Sequence, residues 1–79
     1  MIPSDELEEF REIAREILKR EITMDEVRAL AFRWARNKLE VRKVYGLDYG
    51  EQELQALAAE HVEKILALRQ RLGLDPPTE

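Results

Sequence analysis

Cysteine is absent from the 79 residues, which excludes disulfides, thiolate metal sites and thiol nucleophiles and leaves the redox compartment unmarked. No apolar run approaches the roughly 18 residues that a membrane-spanning helix needs. The opening Met1-Ile2-Pro3-Ser4-Asp5-Glu6 has neither the basic nor the apolar stretch of a secretory leader, so the cytoplasm is the expected location and no membrane partner is expected. Alternating strand patterns, internal repeats and low-complexity tracts are all missing. Tryptophan and histidine occur once each.

What is present is charge and apolar bulk. With 44% hydrophobic and 38% charged residues, residues 1–79 have the composition of one small globular domain rather than of a disordered segment. A chain this short buries only roughly 60 to 65% of its unfolded surface, which leaves a stability of about a few kcal/mol unless a second copy adds to it. The net charge of −4 opposes nonspecific nucleic-acid binding, yet it averages three unlike segments. Residues 5–21 carry −3, residues 23–46 carry +3 and residues 48–74 carry −2.

The basic segment has a start and a stop written into its ends. Thr23 and Glu26 have the spacing of a capping box, flanked by Ile22 and Val27 as a hydrophobic staple, and Gly46 with Leu47 supplies a Schellman stop. Val27, Ala31, Trp34, Lys38, Val41 and Tyr45 recur at spacings of four and three as a seam, with Trp34 the expected centre of the core. Leu30, Phe32, Ala35 and Leu39 widen the apolar arc to roughly 200°, enough for two neighbours, or for one neighbour and a partner chain.

Ser4 is the expected cap of a first helix whose seam is Leu7, Phe10, Ala14 and Ile17, with Ile13 and Leu18 alongside. Asp48 and Glu51 repeat the capping spacing before a third helix, although Gly50 weakens that boundary and allows a start two residues later. Its seam is Leu54, Ala58, His61, Ile65, Leu68 and Leu72, ended by Gly73 and Leu74 and then Pro76 and Pro77. The expected architecture is all-α, an up-down-up three-helix bundle with helices at about 5–21, 24–45 and 49–72 and a tail at 75–79, dimerising through its second helix. Caps, staple and stops agree on this one topology, as they do in idealised sequences, with Asn37, Lys38 and His61 departing from the pattern.

Candidate functional groups are few. His61 lies on an apolar seam without a Glu-x-x-His partner, which favours a packed structural histidine over a metal ligand; no metal, cofactor or catalytic residue is expected. Lys38 and Arg42 border the interior, where they either hold an anion or extend their stems to Asp5, Glu6, Glu8 or Glu51. Phe32, Ala35 and Leu39, edged by Arg28, Arg36 and Lys43, form a protein-binding stripe unless Val62 and Leu66 cover it; Phe32, Ala35, Arg36, Leu39 and Lys43 are the candidate contacts.

Two other function classes are open. Residues 17–34 have the outline of helix, turn and recognition helix, with Arg28, Arg33 and Arg36 toward a DNA groove, but the turn has no glycine and the second helix is longer than recognition needs. Arg36, Asp48, Glu51 and the ending Leu72-Gly73-Leu74-Asp75-Pro76 faintly resemble the small all-helical chorismate mutases, which implies an anion pocket between helices. Gly50 stands where that family has an arginine, the basic residue before its loop has no clear counterpart, and a terminal helix is missing. The leading expectation is therefore a non-catalytic helical module that binds protein, itself included, and not nucleic acid.

Overall fold

Thr23 starts the central helix in the way its neighbours require. Its hydroxyl accepts the Glu26 amide at 3.1 Å, and the Glu26 carboxylate accepts the Thr23 amide at 3.3 Å, so two otherwise orphaned donors are satisfied reciprocally. The staple residues Ile22 and Val27 are both buried beside this box. A computed structural model describes the backbone of residues 4–79 and the side chains of residues 7–79. It contains three helices, α1 (Ser4–Ile17), α2 (Met24–Val44) and α3 (Glu51–Arg71). The expected Ser4 cap lies outside the described side chains.

α2 stops where Gly46 takes φ +88°, with the Gly46 amide on the Lys43 oxygen at 2.9 Å and the Leu47 amide on the Arg42 oxygen at 3.1 Å. α3 stops in the same way at Gly73, φ +74°, where the Leu74 amide reaches the Arg69 oxygen at 2.9 Å. Both are Schellman closures, and in both only glycine takes the left-handed turn without strain. The start of α3 falls at Glu51. Gly50 is its cap residue without a side-chain bond, and the Asp48 carboxylate instead accepts the Tyr49 amide at 2.9 Å. The Tyr49 hydroxyl donates to Glu40, tying this joint back to α2.

α2 packs against both other helices, while α1 and α3 barely meet. Ile13 and Ile17 of α1, Ile22, Val27, Leu30 and Ala31 around α2, and Ile65 of α3 make the continuous core. Each of these Ile, Val and Leu side chains removed from water contributes about 1.5 to 3 kcal/mol. Because α2 is clasped on two flanks, its buried set spreads sideways to Leu30 and Asn37 on one side and Ala35 and Leu39 on the other. On the expected seam line between these flanks Val27 and Ala31 are fully buried, whereas Trp34 and Val41 further along are only half-buried and Tyr45 is exposed. Trp34 therefore lies at the edge of the core and not at its centre.

The end of α1 is the other departure from the sequence pattern. The helix stops at Ile17, four residues before the expected boundary; the Leu18 and Lys19 amides return to the Ala14, Arg15 and Glu16 oxygens, and the Ile17 carbonyl with those of the turn is taken by a single side chain distant in sequence. Arg69, 1% exposed, donates to the oxygens of Ile17 at 2.8 Å, Arg20 at 3.0 Å and Asp75 at 3.1 Å, and also to that of Lys19. Five N–H groups in a planar fork suit several carbonyls at once, and the negative end of the α1 dipole favours the cation. This demand turns α3 so that His61, Ile65 and Arg69 face inward at spacings of four, while Leu68 and Leu72, expected on the seam, are exposed.

The tail closes the same end. Thr78 donates its amide to the Ile22 oxygen at 3.0 Å and accepts the Met24 amide at 2.7 Å, a parallel bridge across Thr23 that fills one of the open donors of α2. No described helix is long and apolar enough to cross a membrane.

Candidate functional site

With α1 and α3 seated on opposite flanks of α2, a cleft runs between them. Its walls are Phe10, Ile13, Ala14, Ile17 and Leu18 from the α1 side and Leu68 from α3, and Trp34 forms its floor; the cavity measures about 220 Å³. Every lining side chain is apolar, and the mouth is open to water, with Leu18 and Leu68 exposed. The volume falls below the roughly 300 to 1,000 Å³ of sites that enclose small molecules, and it suits one or two inserted side chains.

Trp34 is held from below by His61. The two rings meet edge to face, centroids 4.2 Å apart and planes at 85°. His61 is fully buried, and its Nδ1 lies 2.8 Å from the Leu57 oxygen. A carbonyl can only accept, so Nδ1 carries the proton and Nε2 is left as a lone pair with no partner among the described residues. Burial holds the imidazole below its ordinary pKa, and the cations of Lys38 and Lys64 push the same way, against the Leu57 bond and Glu60. His61 is thus a neutral spacer under the indole, the packed histidine that its seam position suggests.

The residues singled out from the sequence are not gathered into one face. Ala35 and Leu39 are interior, Leu39 at 3% exposure, whereas Phe32 is 41% exposed and Arg36 and Lys43 are on the surface. The expected stripe of Phe32, Ala35, Arg36, Leu39 and Lys43 is therefore split by α3, which covers one flank of α2. Lys38 is half-buried near His61, and Arg42 is exposed one turn further on; neither pairs with Glu8 or Glu51, and the side chains of Asp5 and Glu6 lie outside the described residues. Of the arginines assigned to a DNA groove, Arg28 is bound to Asp25 and Arg33 to Glu9 and Glu12. Arg36, Asp48 and Glu51 are all exposed, with no ion pair joining them among the described residues. No group of three His, Asp or Glu residues able to hold a metal occurs among the described residues.

Two features escaped sequence reading. The cleft depends on how far apart α1 and α3 sit, which periodicity does not give; its one signal is that Leu7, Phe10, Ala14 and Leu18 extend the apolar face of α1 well past Ile13 and Ile17. The Arg69 clasp had a fainter signal, a cation four residues beyond Ile65. Known protein families, curated proteins and solved structures provide no match to this chain.

Proposed function

We propose that this chain is a non-catalytic helical interaction module whose docking surface is the cleft between α1 and α3. The carrying observation is the all-apolar cleft floored by Trp34 and left open because α1 and α3 do not close on each other. An amphipathic helix laid there, inserting one or two apolar side chains at i and i+3 or i+4, completes a four-helix arrangement and covers Trp34, Leu18 and Leu68 together.

The reading assumes an up-down-up order of helices. Its support is the set of cross-contacts: Glu9 and Glu12 in the middle of α1 meet Arg33 in the middle of α2, Glu40 of late α2 meets Tyr49 just before α3, and Arg69 of late α3 reaches the end of α1. Dimerisation through α2, the other form of the interaction reading, is supported by the exposed Phe32 but loses Ala35 and Leu39 to the interior.

The lone tryptophan makes the test direct. A leucine-patterned amphipathic helical peptide added to the full chain should shift Trp34 emission to shorter wavelength, and Leu68→Glu should abolish the shift while leaving the helical circular dichroism unchanged. Unaltered emission at saturating peptide, for a chain that also sediments as a monomer, contradicts the proposal.

A further inference from the structure

The cleft has a charge pattern as well as a shape. On a helix surface the neighbours of a residue are those three and four positions away. For the exposed cleft residues Ala14, Leu18 and Leu68, the charged residues three and four positions away are Arg11, Arg15, Lys64, Arg71 and Glu21. Four of these five are cations. Leu18 and Glu21 both lie past the end of α1 at Ile17.

These cations are also free to act. Other basic side chains are already engaged: Lys19 with Glu16, Arg28 with Asp25, Arg33 with Glu9 and Glu12, and Arg69 with its carbonyls. Arg11, Arg15, Lys64 and Arg71 form no ion pair among the described residues, and all four are exposed. In a chain of net charge −4, the apolar cleft is thus bordered on both walls by cations that form no ion pair among the described residues. The rims of interfaces stay hydrated, and charge there steers approach and selects among partners.

We propose, building on the cleft as docking surface, that its occupant is an amphipathic helix from a different protein whose apolar stripe is flanked by Asp and Glu. A second copy of this chain fits less well, because its own apolar cleft carries the same cationic borders and like charges meet when two such faces oppose each other. An apolar stripe inserts over Trp34 between Leu18 and Leu68, while carboxylates on either side meet Arg11 and Arg15 on one wall and Lys64 and Arg71 on the other.

The test uses three helical peptides with one shared leucine stripe and flanking positions filled by Glu, Gln or Lys, titrated into the full chain with Trp34 emission as the readout. At about 0.05 M salt the Glu-flanked peptide should bind about tenfold tighter than the Gln-flanked one and the Lys-flanked peptide weakest, with the differences shrinking at about 0.5 M salt. The double variant Arg15→Glu with Lys64→Glu, both at exposed positions, should reverse the order. Equal affinities for the three peptides overturn the acidic partner while leaving the cleft as a docking site; no binding by any of them overturns both. A dimer in sedimentation equilibrium that Leu68→Glu dissociates would identify a second copy as the occupant and overturn the proposal.

Discussion

The guanidinium of Arg69 donates through Nη1 to the main-chain oxygen of Ile17 at 2.8 Å, joining residues 52 positions apart. With the oxygens of Lys19, Arg20 and Asp75 on the same fork, one side chain ends α1, shapes the turn into α2 and anchors the tail. Arg69→Met should destabilise the fold by about 3 kcal/mol, because the buried Ile17 carbonyl loses its donor and the part-buried bonds to Lys19, Arg20 and Asp75 are lost with it. Arg69→Lys should recover only part of the loss, since an ammonium keeps the charge but not the planar fork. Urea midpoints of the two variants measure this, and a Met variant as stable as the parent would refute the account.

Protonation of His61 opposes folding. Its folded-state pKa lies below that of the unfolded chain, so its contribution to stability is complete above about pH 6.5 and is lost progressively as pH falls below that value. The charged groups acting on the imidazole are Lys38 and Lys64, which oppose its protonation, and Glu60, which favours it. The unfolding midpoint should drop between about pH 7.5 and about pH 5.5. In His61→Phe, which keeps an aromatic ring under Trp34, the same drop should be smaller; an equal drop assigns the effect to other groups.

Phe32 and Leu39 separate a surface from a core. Phe32→Glu should leave the melting temperature within a few degrees, since the ring is already 41% exposed. Leu39→Lys places a cation where the parent side chain is 3% exposed, and should unfold a domain with a margin of about a few kcal/mol. Thermal melts followed by circular dichroism distinguish the pair, and a folded Leu39→Lys protein would put that residue on a working surface after all.

The two ends of the tail joint should differ in weight. Thr23→Ala removes only the cap and should cost about 1 kcal/mol. A chain ending at Leu74 loses the Thr78 bonds to Ile22 and Met24 and the Asp75 oxygen on Arg69, and should lose about 2 to 3 kcal/mol. Midpoints in the reverse order would show that the tail only rests on the surface.

Local chemistry was readable in the sequence because it depends on neighbours in the chain. The Thr23 to Glu26 box, the glycine stops at Gly46 and Gly73, the three helices and the breadth of the α2 apolar arc all follow from spacings of a few residues. What the sequence did not give depends on rotation and distance. Whether Trp34 or Leu39 is the more buried turns on α2 having a neighbour on each flank, and a wheel drawn for one helix centres the core on a midline that is closed at Val27 and Ala31 but only partly covered from Trp34 onward. Leu68 and Arg69 are adjacent residues whose places on the third seam were exchanged by a demand from carbonyls about 50 residues earlier, a relation that periodicity does not contain.

The length of chain between Arg69 and its acceptors also bears on rates. α2 meets α1 through a short turn and α3 through another, so these pairings bring together segments near in sequence and belong early in folding. The grip of Arg69 on the end of α1, and of Thr78 on Ile22, closes loops of most of the molecule and belongs after the transition state. Contacts formed that late leave the folding rate nearly untouched and govern how fast the native protein opens. The clasp is therefore a lock on residence in the folded state, and weakening it should shorten the lifetime of the protein without slowing its assembly.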